Sequence, residues 1–310
     1  MNWVKKGLVY EPKGQYEWNQ SHAQLPIVDL ANDRGWRIYF ATRDASNRSN
    51  ISYVEVEAGR PGNILYEHNQ TLLPFGKLGT FDESGLMPLC VVNYQGMKYL
   101  YYAGWTIRAT ITYHNSIGLA ISRDNGGSYE KFAEGPLFDI RPNEPYFTGT
   151  ANVMVENGLW RMWYQSCTKW ELVEGQPEPF YHIKYAESVD GIRWRREGTV
   201  AIDYEDESEG GICSASVIKE GGVYRMWYSY RRARDYRSNR LNSYRIGYAE
   251  SSDGVAWTRR DQDAGIDVSN EGWDSEMIAY PFVLLRSDKK YLFYNGNGFG
   301  RTGFGYAVEE

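Results

Sequence analysis

The pentapeptide Trp160-Arg161-Met162-Trp163-Tyr164 is written again as Tyr224-Arg225-Met226-Trp227-Tyr228, 64 residues further on. Fainter copies begin at Trp36 (WRIYFAT), Lys98 (KYLYYAG) and Lys290 (KYLFYNG), spaced 62, 62 and 66 residues from their neighbours in the series. Five copies at a nearly constant period mean one structural unit used five times, each unit burying its apolar face against the next.

The units share an internal order. A first apolar run (25–30, 87–93, 152–156, 216–219, 280–285) leads through a short turn such as ENG at 156–158 into the aromatic copy, which reads as a hairpin. A long irregular loop follows, and then a third strand: ISYVEVE (51–57), IGLAISRD (117–124), IKYAESVD (183–190), IGYAESSD (246–253) and FGYAVEE (304–310). Turns at SRDNGGSY (122–129), SVDGIRW (188–194) and SSDGVAW (251–257) supply positive φ at Gly or Asn and open a fourth strand. The last unit ends without a fourth strand, but Trp3–Val9 matches Trp194–Val200 in spacing and type. The expectation is an all-β, five-bladed β-propeller over residues 1–310, with four antiparallel strands per blade. The N-terminal strand joins the last blade, which removes the open edges.

Composition fits sheets packed face to face: 15% of residues are aromatic, with 26 Tyr and 11 Trp. A net charge of −6 gives no field that would favour nucleic acid, and no stretch approaches a membrane span. Without an apolar signal-like segment, a cytoplasmic protein is expected. Cys90, Cys167 and Cys213 lack metal spacing and read as free buried thiols; no metal and no cofactor is expected.

Short hairpin turns on one face and long connections on the other place binding at the second face. The acids just upstream of each first strand then become candidates for acid/base work on a glycosidic bond: Asp82, Glu83, Glu144, Asp274 and Glu276. Glu144 and Glu276 stand in aromatic or apolar contexts and read as the acid and the base or nucleophile. His22, Gln24, Arg43 and Asp44 are positioned to hold a sugar. Trp105 and Trp170, beyond strand ends, read as stacking platforms, with His182, Arg231 and Asn297 beside them. The cluster RRARDYRSNR (231–240) would favour an anionic ligand if several of its arginines turned inward.

Five units, RMWY-type second strands and S-x-DG-x-x-W turns make the sequence resemble the five-bladed propeller glycoside hydrolases of families 32, 43, 62, 68 and 130. More narrowly, GTFDESGLMP (79–88), RPNEPYF (141–147), WDSEMIAYP (273–281) and YNGNGFGRTGFG (294–305) look like a branch of cytoplasmic proteins associated with bacterial surface-polysaccharide synthesis. The resemblance implies a glycosidase-like enzyme acting on a small or activated glycan. It leaves open a glycosyltransferase or phosphorylase using a nucleotide or lipid-phosphate sugar, and a carbohydrate-binding propeller without turnover. Families 32 and 43 place an Asp at the first strand of blade one, commonly before Pro, and family 43 a second in a later blade. Here Leu25 precedes Pro26 and Ala151 precedes Asn152.

Overall fold

A computed structural model describes residues 1–30 and 35–310. The fold is all-β. Unit one comprises β2 (Ser21–Asp29), β3 (Gly35–Arg43), β4 (Ser49–Glu57) and β5 (Arg60–Glu67), after an N-terminal strand β1 (Trp3–Tyr10). Unit two comprises β6 (Gly85–Tyr94), β7 (Met97–Ile107), β8 (Tyr113–Ser122) and the short β9 (Glu130–Lys131). Unit three has β10 (Thr148–Glu156), β11 (Leu159–Val173), β12 (Gln176–Ser188), β13 (Trp194–Arg195) and β14 (Val200–Ile202). Unit four has β15 (Glu209–Glu220), β16 (Val223–Arg232), β17 (Arg245–Ser251) and β18 (Thr258–Arg259); unit five has β19 (Ala279–Arg286), β20 (Lys289–Asn295) and β21 (Phe304–Glu309).

Within each unit the strands run antiparallel in sequence order. β1 adds to the last unit, pairing Trp3 with Glu309 and Tyr10 with Phe304, so that its sheet runs β1-β21-β20-β19. Single parallel bridges, Ser49 to Gly85 and Tyr181 to Gly211, tie unit one to unit two and unit three to unit four. Each first strand packs on the next: β2 on β6, β6 on β10, β10 on β15, β15 on β19, and β19 on β2.

The second-strand copies explain themselves by what they bury. Alternate residues face opposite sides of a strand, so Trp160, Met162 and Tyr164 fill the space toward unit two while Trp163 fills the space toward unit four. The other neighbouring pairs are joined the same way: Trp227 with Leu292, Phe293 with Ile38, and Tyr39 with Leu100.

The S-x-D turns latch these interfaces. Ser188 Oγ and Asp190 Oδ1 accept the backbone N–H groups of the turn, which leaves the carbonyl of Gly191 free to accept from Tyr101 of the preceding unit at 2.6 Å. Gly254 accepts from Trp163 at 2.9 Å, and Gly126 from Arg37 at 2.5 Å. Gly191 sits at φ +73 with Trp160 against it, where a Cβ would stand 2.7 Å from the indole. Only glycine meets both conditions without strain.

One expectation changes. Residues 167–182, expected as an irregular loop, continue β11 and β12 as a long hairpin closed at Glu174 and Gly175, with Trp170 paired to Pro179 and Lys169 to Phe180. A bulge between Cys167 and Lys169 marks where the hairpin leaves the packed part of the unit. The Lys169 ammonium then stands 4.5 Å from the centre of the Phe180 ring, a cation–π contact between the two strands of the extension. Among the described residues, no helix is long and apolar enough to cross a membrane.

Candidate functional site

The five first strands meet at a narrow cavity lined by Leu25, Leu89, Ala151, Ser214, Tyr280 and their neighbours, one contribution from every unit. It holds about 10 Å³, the room of a single water. Each first strand is bulged beside it, and Leu25, Ser214 and Tyr280 adopt left-handed backbone there (φ 55, 54 and 56). Non-glycine residues are strained in that region and keep it only where the surroundings fix it. Ser229 Oγ fixes Tyr280 by accepting its N–H at 2.7 Å, Asn295 Oδ1 fixes Leu25 at 2.8 Å, and Thr150 Oγ1 fixes Ser214 at 2.7 Å.

Around this point the segments that end the second strands and lead into the third gather an aromatic cluster, the wall of the funnel that the loop lengths on this face lead one to expect. Tyr113 comes from unit two, Trp170 and Tyr181 from unit three, Tyr236 and Tyr244 from unit four, and Phe299 from unit five. The rings touch in sequence: Tyr113 with Trp170 at 5.5 Å, Phe147 with Tyr181 at 6.2 Å, and Tyr244 with both Phe299 and Tyr280 at 6.0 Å. Gln24 adds unit one to this wall. Its Nε2 donates to the Phe299 carbonyl at 2.6 Å and its Oε1 accepts from Arg43 Nε at 3.1 Å. Loop lengths in the sequence pointed to this face, but the tyrosines themselves carried no pattern that set them apart from packing residues.

Three of the five candidate carboxylates, Asp82, Glu144 and Asp274, lie elsewhere, in a lock repeated from unit to unit. Asp82 accepts from Tyr102 at 3.1 Å and Lys131 at 2.6 Å; Asp274 accepts from Tyr294 at 2.9 Å and Lys5 at 2.7 Å. Glu144 accepts from Tyr164 at 2.8 Å and pairs with Arg196, with Arg141 at 2.9 Å and with Lys184 at 3.1 Å. Each acid precedes its tyrosine by 20 residues. In all three a cation comes from the fourth strand or just beyond it, at the side of the sheet opposite the first strand. Unit four keeps a variant in which Arg259 joins Glu209 to Asp261 and Tyr228 donates to Asp261. Unit one has Phe40 at the tyrosine position, which removes the donor such a lock needs.

Burial of Glu144 works against its charge, but Arg196, the Tyr164 hydroxyl and Lys184 outweigh it and hold the carboxyl below the ordinary range. Such a group is a poor general acid at neutral pH. The expectation that Asp82, Glu144 and Asp274 converge on the funnel is therefore corrected: their partners hold them on the outer strands.

Of the remaining candidates, Glu276 is exposed, with its backbone N–H held by Asn297 Oδ1 at 2.7 Å, so Asn297 braces the loop. Glu83 caps a turn by accepting from the Gly79 N–H at 2.6 Å. Asp44 also braces a turn, accepting from the N–H groups of Ser46 and Arg48 and from Arg48 Nε, each at 2.9 Å. Trp105 is buried, its Nε1 bonded to Ser49 Oγ at 2.7 Å with the Arg43 guanidinium 5.9 Å from its ring, so it offers no free face to a sugar. Trp170 is half-buried in the funnel wall. His182 is buried and bonded to Asp203 at 3.0 Å. Arg231 is 1% exposed; it stands 3.8 Å from the centre of the Tyr236 ring and donates to the Pro179 carbonyl at 2.6 Å, so it supports the funnel wall from behind. His22 is half-buried, and burial together with Arg43 and Arg301 lowers its pKa to about 4, so the imidazole is neutral at pH 7. The three cysteines are free and buried.

A larger cleft, about 520 Å³, lies beside the β11–β12 hairpin, lined by Lys169, Leu172, Phe180, Tyr204 and Arg234 among others. It is built by units three and four alone. The funnel is the place where all five units contribute, and for that reason it is the candidate site.

No family model matches the sequence. Among solved structures the fold is similar to that of a complex of BT0996 with RGII (TM-score 0.75, 17% identity, covering 99% of this protein and 91% of that one). It is also similar to a glycoside hydrolase (0.76, 16%, 99% and 91%) and to a thermostable family-43 glycoside hydrolase (0.67, 20%, 93% and 88%). At these identities the likeness is one of fold: this is the propeller fold of glycoside hydrolases. In sequence the protein is 37% identical over 310 residues, the whole length of both partners in the comparison, to "Uncharacterized protein Rv1502" and "Uncharacterized protein MT1551", from two strains of Mycobacterium tuberculosis. With the match running from end to end, this protein belongs to the family of the mycobacterial protein Rv1502.

Proposed function

We propose that this protein is one five-bladed propeller over residues 1–310, closed by β1, and that its funnel receives a saccharide in the manner of a glycosidase. The observation that carries the reading is the aromatic cluster built by units two to five, joined by Gln24 of unit one, beside the strained first strands. Aromatic faces and edges suit the C–H surfaces and hydroxyls of a pyranose, and strained non-glycine backbone gathers at functional sites. The glycoside hydrolase fold of the structural neighbours supports the ligand class. The resemblance to proteins of surface-polysaccharide synthesis supports an activated or lipid-linked glycan.

If a bond is broken, the carboxylates left for it are Glu276 and Glu83, because Asp82, Glu144 and Asp274 are held by their locks. Two carboxylates about 5–5.5 Å apart would act with retention and about 6.5–9.5 Å apart with inversion. A panel of glycosides and nucleotide sugars incubated with the wild type and with Glu276→Gln tests this reading. Turnover that is lost in the variant supports the hydrolytic reading.

A second reading, saccharide binding without turnover, is favoured by one observation: Leu25 and Ala151 line the inner cavity where the resembling families carry aspartates. Binding of a glycan with no product formed over the whole panel selects it.

A further inference from the structure

The funnel carries positive charge that the protein does not answer. Arg43 closes its unit-one side. Its Nε donates to Gln24 and its Nη1 to the carbonyl and Oδ1 of Asn47, at 3.2 and 3.1 Å, so that one nitrogen of the fork has no hydrogen-bond partner among the described residues. Arg301 lies in the loop carrying Phe299, whose carbonyl Gln24 binds and whose Gly300 packs on the carbonyl of Ala23. This puts Arg301 next to His22, the residue before Ala23, and both guanidiniums act on the His22 ring. No acidic side chain pairs with Arg43 or Arg301 among the described residues, although most other arginines here have such a pair, for example Arg37 with Glu55 and Arg237 with Glu178.

Burial works against the charge of Arg43, and the Tyr280 and Tyr113 hydroxyls near it, kept neutral because burial raises their pKa, supply no counter-charge. Those hydroxyls have no hydrogen-bond acceptor of their own among the described residues. A partly buried cation is costly unless it is paired. Two unpaired guanidiniums and two free hydroxyl donors on one wall make a site for an acceptor that the protein itself does not supply.

We propose that Arg43 and Arg301, with the Tyr280 and Tyr113 hydroxyls, bind an oxyanion carried by the saccharide, a carboxylate or a phosphate. Guanidinium forks match either group with two parallel hydrogen bonds. His22 is a neutral neighbour that adds a hydrogen bond without adding charge. The inference rests on the saccharide reading and narrows it to acidic or phosphorylated sugars.

The test is calorimetric titration of the full-length protein with glucuronate, glucose 1-phosphate, glucose and inorganic phosphate at about 50 mM salt. At least one charged sugar binds ten-fold or more tighter than glucose, and whichever of the two binds tighter names the anion. Arg43→Gln and Arg301→Gln each weaken that binding about ten-fold and leave glucose unchanged. Arg301 is exposed and has no acidic partner to lose, so its variant folds even if Arg43→Gln does not. Equal binding of glucose and both charged sugars, or charged-sugar binding indifferent to Arg301→Gln, overturns the inference and leaves the saccharide reading intact. Inorganic phosphate binding through Arg43 and Arg301 as tightly as either charged sugar, with glucose silent, upholds the anion site and defeats the saccharide reading instead.

Discussion

The Lys5 ammonium stands 2.7 Å from Oδ2 of Asp274, an ion pair between residues 269 positions apart. Tyr294 donates to the same oxygen at 2.9 Å. The pair fixes the N-terminal strand to the last unit, so both ends of the polypeptide are held by the same acid–tyrosine–cation arrangement that braces units two and three internally. Lys5→Met leaves Asp274 buried with one partner and lowers stability by about 2 kcal/mol, read from urea midpoints at constant slope. Deleting residues 1–10 exposes the edge of β21, and the truncated protein self-associates in sedimentation velocity where the full-length protein does not.

Glu144 gives a pH signature. Its folded-state pKa lies below the ordinary carboxylate value, so it contributes stability above about pH 4.3, and that contribution is lost as the pH falls through the folded value. Glu144→Gln, which strands Arg141, Lys184 and Arg196, costs roughly 3 kcal/mol at pH 7. The gap between wild type and variant narrows below about pH 4. A catalytic Glu144 would give the opposite result, with activity lost and stability unchanged.

The fold was largely legible because each repeat is a whole supersecondary unit, and the fourth strand missing from unit five could be matched to Trp3–Val9 by spacing and residue type. The locks were legible in principle, since an acid stands 20 residues before a second-strand tyrosine in three units. What hid them is that a repeated spacing of opposite partners within one unit marks scaffold, whereas a carboxylate before a first strand looks the same in sequence whichever way it points. The funnel residues were less accessible still. Tyr244 and Phe299 sit in connections that differ from unit to unit, Tyr113 opens a third strand, and their meeting depends on how all the units come together.

Gly191 tests the latch between units two and three. Ala at this position meets a positive φ and the Trp160 ring together, and it displaces the carbonyl that Tyr101 uses. The expected loss is about 2–3 kcal/mol in chemical denaturation. Gly135, with open space around its Cα and ordinary backbone, tolerates Ala with a change within about 0.5 kcal/mol.

Burial pushes the Cys90 and Cys167 thiols up to about 12 and Cys213 up to about 11. Little thiolate exists at about pH 8, so native protein shows no fast reaction with a thiol reagent. Unfolding in guanidinium releases three reactive thiols, matching the three cysteines of the sequence.

The central claim is that the funnel is where a saccharide binds, and a crystal structure after soaking with neutral, acidic and phosphorylated sugars measures that directly. The predicted result is a sugar ring against Tyr280 and Tyr244 with its charged group within hydrogen-bond reach of Arg43. A sugar ordered instead in the cleft beside Leu172 and Phe180, with the funnel left to water, would contradict it.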